Sequence, residues 1–125
     1  MRLLLDTHIA LWVFAGDPRI NSIRDTLLAK DTEVFVSVAS LWEITIKASL
    51  GKLVADLKEI RWAIVASGFS ELPVKGGHTE ALLKLPPYHK DPFDRLLVAQ
   101  ANSEPMKLIT CDSVLKQYSD LVWLI

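Results

Sequence analysis

Three short runs in this chain are apolar almost from end to end: Leu3-Leu4-Leu5, Val34-Phe35-Val36 and the segment Lys107 to Cys111. A strand with one wet face alternates apolar and polar residues. These runs do not, so they read as strands covered on both faces, which is the habit of a parallel sheet. Helical patterns lie between them. Thr7 to Phe14 forms one, broken by Gly16-Asp17-Pro18, and Ile20, Ile23, Leu27 and Leu28 carry the spacing of another. Ser40 opens a helix reaching about Leu50, with Gly51 at its stop. Asp56 caps the next, whose apolar positions are Leu57, Ile60, Ala63 and Ile64. Phe69 to Val74 is a third strand, and Pro73 puts it at an edge. His78 to Leu85 is a short helix ended by Pro86-Pro87, and Asp91-Pro92 starts another. Val114 to Tyr118 is a helical turn or two, and Leu121 to Ile125 a fifth strand. Right-handed crossovers between parallel strands then give a three-layer α/β/α sandwich around a sheet of about five strands.

The 125 residues make a single domain spanning 1–125, and 50% apolar content supplies a core without disulfides. A net charge of −1 excludes an overtly basic nucleic-acid binder, and 23% charged residues exclude a disordered tail. The lone Cys111 fits a reducing compartment. Asp6 interrupts the N-terminal apolar run before it can act as a signal, and no stretch nears the ~18 apolar residues of a membrane span. The expectation is a soluble, cytoplasmic protein.

In a parallel sandwich, strand C-termini and helix N-termini share one edge, where ligands bind. Asp6 ends the first strand, Glu43 lies in the first turn after the second, Asp91 and Asp94 open the helix before the fourth, and Asp112 ends the fourth. Gathered carboxylates repel one another, and a bound cation removes that cost. Oxygen donors without a Cys/His set favour Mg²⁺ or Mn²⁺ over Zn²⁺, and such an ion activates water and offsets charge on a phosphate. Each acid also has a plainer reading. Ser40 with Glu43, and Asp91 with Asp94, have capping-box spacing, and Asp112 can cap the helix after it. Only at Asp6 does helix logic make no demand for a carboxylate.

At these residues the chain resembles the PIN-domain ribonucleases, and among them the VapC-type toxins of bacterial and archaeal toxin–antitoxin pairs. The resembling segments are Leu4-Leu5-Asp6-Thr7-His8, Ser40-Leu41-Trp42-Glu43 running on to Lys47 and Gly51-Lys52-Leu53, His89 to Leu97 with Ala99-Gln100-Ala101, and Thr110-Cys111-Asp112. Val54 to Lys84 carries nothing diagnostic. The resemblance implies a Mg²⁺- or Mn²⁺-dependent endoribonuclease with Asp6, Glu43 and Asp94 as core metal-holding, catalytic acids and Asp112 as a fourth. It also implies an antitoxin partner and a homodimer, with parts of the faces at Ile20–Leu28 and Leu57–Val65 serving these contacts. Setting aside the five edge acids leaves ten acidic residues against 14 Lys and Arg, so the remaining surface is net positive, as an RNA backbone requires.

Accessory positions carry two readings each. Arg95 contacts phosphate or pairs with a nearby carboxylate. Lys47, at i+4 from Glu43, makes a surface ion pair or serves the site. His89 and His8 can reach the pocket, and His78 reads as a helix-start residue only. Asp91 reads as an accompanying acid or a cap. Cys111 reads as a buried small hydrophobe, and Trp12, Trp42, Trp62 and Trp123 as core or interface. The competing functions are a phosphotransferase with an aspartyl nucleophile, a receiver-like Mg²⁺-binding domain, and a non-catalytic RNA- or protein-binding module. His8 stands where the first wants a second Asp. The acidic pair and following Lys of the second are missing.

Overall fold

The computed structural model describes all residues, Met1–Ile125. Five strands, β1 (Arg2–Leu5), β2 (Glu33–Ser37), β3 (Ser70–Leu72), β4 (Lys107–Thr110) and β5 (Val122–Leu124), form one sheet in the order β3-β2-β1-β4-β5. All four pairings are parallel, with Leu4 opposite Phe35 on one side and Leu108 on the other. The helices are α1 (Thr7–Ala15), α2 (Arg24–Leu28), α3 (Val38–Ser49), α4 (Leu57–Ala66), α5 (Gly76–Leu82) and α6 (Pro92–Ser103), with 3₁₀ segments at Pro18–Ile23 and Ser113–Gln117.

The apolar strands are buried on both faces, as the missing alternation predicts. Leu3, Leu4 and Leu5 are fully buried. Leu3 and Leu5 join Ile9, Ile23, Val36 and Ile64 in one core layer, under α1, the first 3₁₀ segment and α4. Leu4 points the other way, onto Leu97, Val98, Met106 and Leu108 beneath α6. Each such leucine contributes about 1.5–3 kcal/mol by leaving water. The result is the expected three-layer α/β/α sandwich, with β3 at an edge as Pro73 required.

Several boundaries differ from the sequence reading: the helix expected over His78 to Leu85 is Gly76–Leu82, the strand expected over Phe69 to Val74 is Ser70–Leu72, and two further differences bear on the site. Ser37, not Ser40, opens α3: its hydroxyl accepts the Ala39 N–H at 3.0 Å. Glu43 therefore lies in the second turn, and Ser40 with Glu43 is not a capping box. The segment from Ile20 to Leu28 is not one helix. Pro18 follows the Asp17 cap and starts a tight 3₁₀ stretch, and only Arg24–Leu28 is α-helical. Gly16 and Gly51 follow α1 and α3 with φ of 66° and 72°, the left-handed stop that only glycine adopts freely.

Candidate metal centre at the sheet edge

Asp6 leaves β1 and caps α1 in the same step. Its backbone N–H extends the ladder to Ile109 O at 2.9 Å, and its Oδ1 accepts the His8 N–H at 3.3 Å. Helix logic thus does use this carboxylate, contrary to the sequence reading. Its second oxygen, Oδ2, accepts from the Thr110 hydroxyl at 2.6 Å. Burial pushes the Asp6 pKa up, Glu43 adds to the rise, and the Thr110 bond works against it. Thr110 in turn accepts the Asp112 N–H at 3.1 Å, so one buried hydroxyl ties the ends of β1 and β4 together. Sequence reasoning assigned Thr110 no role. Its signals were its place in the resembling segment Thr110-Cys111-Asp112 and a polar residue closing an apolar strand.

Glu43 is 5% exposed. Its Oε2 pairs with Lys47 Nζ at 3.0 Å, the i,i+4 ion pair expected for Lys47. Its Oε1 is buried and has no hydrogen-bond partner. A buried polar atom without a partner costs about 1–3 kcal/mol, so such atoms call for an explanation.

Asp94 occupies the third position of α6. The Asp91 side chain caps that helix, accepting from the N–H groups of Phe93 at 2.8 Å and Asp94 at 3.1 Å. The Asp94 carboxyl itself is pushed up to about 7 by burial and then by the negative charges of Asp6, Asp91 and Glu43. Helix geometry and sheet topology have thus brought four acids from three parts of the chain within electrostatic reach.

Asp112 caps the second 3₁₀ segment, its Oδ1 accepting the Val114 N–H at 3.0 Å. Its Oδ2 meets His89 Nε2 at 2.8 Å. The same nitrogen stands 3.5 Å from Asp94 Oδ2. His89, Asp94 and Asp112 form a trio, with one potential ligand atom each and all three atoms within 4.8 Å of one another. Asp6 and Glu43 lie outside that trio.

Other expectations are corrected. Arg95 pairs with no carboxylate: it donates to Pro86 O at 2.9 Å and the Tyr118 hydroxyl at 3.1 Å. His78 is no mere helix-start residue. It is 2% exposed, and its Nε2 lies 2.6 Å from Glu104 Oε2. Cys111 is exposed, because it follows the last ladder residue of β4 and turns outward. Trp42 and Trp62 are 59% and 72% exposed, so of the two readings, core or interface, the core one is excluded for them. His8 is exposed beside the site. Gln100, fully buried, accepts from the Ser37 hydroxyl at 2.6 Å and so joins α6 to the start of α3.

The donor set fits a hard divalent cation. It is rich in carboxylate oxygen, one buried oxygen lacks a partner, and the mutual repulsion at Asp94 is what a cation relieves. Two openings flank the edge. A cleft of about 250 Å³ lies between α1 and α3, lined by Thr7, His8, Lys47 and Lys52 among others. An apolar groove of about 930 Å³ runs between α1 and α4, past Leu11, Phe14, Val54, Ile60 and Trp62. No helix is long and apolar enough to cross a membrane.

A five-stranded parallel α/β/α sandwich with acids gathered at the strand C-termini defines the class. The PIN domain family matches residues 3–121, and the chain belongs to that family. Its fold is shared with solved structures of low identity. VapBC2 from Rickettsia felis, bound to a DNA fragment from its promoter, superposes with a TM-score of 0.74 at 19% identity, covering 100% of this chain and 98% of that one. A toxin–antitoxin complex from Klebsiella pneumoniae gives 0.62 at 20% identity, over 89% and 87% of the two chains. A domain of a functionally unknown protein from Methanocaldococcus jannaschii gives 0.58 at 16%, over 93% and 81%. No curated protein matches the chain.

Proposed function

We propose that the chain, as one domain over residues 1–125, is a divalent-metal-dependent endoribonuclease and the VapC-type toxin of a toxin–antitoxin pair acting in the cytoplasm. The observation that carries this reading is the orphaned, buried Glu43 Oε1 beside a carboxyl at Asp94 pushed up to about 7. Asp6, Glu43, Asp94 and Asp112 would hold Mg²⁺ or Mn²⁺. When bound, such an ion supplies an activated water and offsets charge developing on the phosphate.

The chain's own residues do the rest. Thr110 holds Asp6 in place, and Asp91 fixes the N-terminus of α6 and with it Asp94. Lys47 leaves one oxygen of Glu43 free for the ion. The cleft with His8, Lys47 and Lys52 supports a path for the RNA backbone, where cations offset phosphate charge. The apolar groove beside Trp62 supports a seat for the antitoxin, since its large hydrophobic side chains lie open. The homodimer expectation stays part of this proposal. The phosphotransferase alternative fares worse: both oxygens of Asp6 accept hydrogen bonds and the residue is 5% exposed, a poor nucleophile.

The test is incubation of the antitoxin-free protein with total cellular RNA in Mg²⁺, Mn²⁺ or EDTA, beside Asp94→Asn. Discrete cleavage that requires both metal and Asp94 is expected. Full cleavage by a folded Asp94→Asn protein would overturn the assignment.

A further inference from the structure

Resting on the metal-dependent reading above, we propose that His89 is a positioning residue for Asp112 and is not itself a ligand of the metal. By distance alone it looks like a ligand, since its Nε2 shares the 4.8 Å trio with Asp94 and Asp112. The lone pairs of the ring decide otherwise. His89 Nδ1 accepts the backbone N–H of Asp91 at 3.0 Å. A ring nitrogen that accepts carries its lone pair and no proton, so the one proton of the neutral imidazole sits on Nε2. A protonated nitrogen donates a hydrogen bond and cannot bind a cation.

That donor has a fixed target. Nε2 lies 2.8 Å from Asp112 Oδ2 and 3.5 Å from Asp94 Oδ2. The backbone N–H of His89 donates to the Tyr118 hydroxyl at 2.8 Å. The same hydroxyl accepts from Arg95, whose guanidinium also grips Pro86 O at 2.9 Å. The segment from Pro86 to Asp91 is thereby strapped to the second 3₁₀ segment, and the ring cannot turn over without breaking the Asp91 bond. Asp112 is consequently held from two sides, by His89 at Oδ2 and by the Val114 N–H at Oδ1 at 3.0 Å. The strap fixes the plane of the fourth carboxylate facing Asp94. With imidazole kept out of the coordination shell, the donors left are carboxylate oxygens, which suit hard ions.

Two measurements test this on the full chain. The first is long-range ¹⁵N–¹H NMR of the His89 ring in the metal-free and Mg²⁺-loaded protein. An unprotonated Nδ1 and a protonated Nε2 in both states are expected, and the opposite tautomer in either overturns the proposal. The second is calorimetric binding of Mg²⁺, Mn²⁺ and Ni²⁺ to the wild type, His89→Ala and His89→Gln. Loss of a partner that orients a ligand costs about 10–100-fold in metal affinity. His89→Ala should weaken Mg²⁺ and Mn²⁺ alike by that factor, and His89→Gln, whose amide still donates, should recover most of it. Ni²⁺ favours imidazole, so a loss confined to Ni²⁺ and Mn²⁺ marks a direct ligand and overturns the proposal, as does an unchanged His89→Ala. If the wild type binds none of these ions, the nuclease reading fails. The NMR result then decides the tautomer by itself.

Discussion

Two histidines in this protein make the same hydrogen bonds and live in opposite electrostatic worlds. His78 and His89 each accept a backbone N–H at Nδ1, from Lys75 at 2.9 Å and from Asp91 at 3.0 Å. Each turns Nε2 to a carboxylate, Glu104 at 2.6 Å and Asp112 at 2.8 Å. Around Glu104 the neighbours are Lys75 and Arg2, and together with the His78 hydrogen bond they hold its carboxyl below the usual range. Around Asp112 stands Asp94, whose own neighbours are Asp6, Asp91 and Glu43. The first arrangement is finished: its carboxylate has cationic neighbours, and His78 is sealed from water. The second holds surplus negative charge and a buried oxygen with no partner. A His–carboxylate pair is therefore no signature of a site. The company it keeps is.

The sharpest way to break this contrast is Asp94→Asn. RNA cleavage should fall by more than roughly 100-fold, beyond the loss typical of residues that merely orient a ligand. The metal-free protein should at the same time become more stable, because a repelling charge is gone. Melting should rise by a few degrees, about what 1 kcal/mol yields at this size. A fall in both activity and melting temperature would mean that Asp94 is structural.

His78→Ala probes the finished side. Losing a buried side chain and its hydrogen bonds to Lys75, Glu104 and Gln100 should cost about 2–4 kcal/mol. Chemical denaturation should show this, while Mn²⁺ affinity measured by calorimetry stays unchanged. A matching loss of metal affinity would tie the two regions together.

Acidity should separate the two carboxylates by sign. Asp94 has its pKa raised to about 7, so the stability it contributes is full below its unfolded value near 3.8 and is lost as pH rises towards 7. Glu104 has its pKa lowered, so its contribution is present above its unfolded value near 4.5 and is lost as pH falls through the lowered value. Urea titrations in EDTA should show Asp94→Asn gaining on the wild type as pH rises from about 4 to about 7 and holding that gain above it, with Mg²⁺ erasing the gain. Glu104→Gln should lose on the wild type at neutral pH and converge with it in acid.

The smallest effect belongs to the basic cleft. Lys52→Gln, placed in an Asp94→Asn background so that the probe survives, should bind a labelled single-stranded RNA slightly more weakly. The slope of log affinity against log salt should shrink by about 0.7, the share of one phosphate contact. An unchanged slope would put the RNA elsewhere.

Much of this was legible from residue patterns alone. Unbroken apolar strands announce a parallel sheet, and a parallel sheet dictates which ends of which elements share an edge. That rule places Asp6, Asp94 and Asp112 at one edge from the sequence. Partner choices were not legible. Thr110, Ser37 and Gln100 look like ordinary polar residues, and their bonds join residues 104 and 63 positions apart. Arg95 follows Asp94 in sequence yet turns to a carbonyl and a phenol, because its place on α6 faces Pro86 and Tyr118. Capping does not remove an acid from the edge: Asp6, Asp91 and Asp112 each cap a helix while standing among the other acids. A cap holds a carboxylate at a helix N-terminus, and in this topology every helix N-terminus after a strand is at the ligand edge.

The hydroxyl of Thr110 on Asp6 carries a consequence for the order of events during synthesis. The clamp on Asp6 comes 104 positions after it in the chain, on a strand that inserts beside β1 near the middle of the sheet. At about 5–20 residues per second that interval lasts roughly 5–20 seconds, and during it the acid edge does not exist. A nascent chain thus carries Asp6 without its clamp until β4 docks. Any lesion that delays the docking of β4 lengthens that interval in proportion.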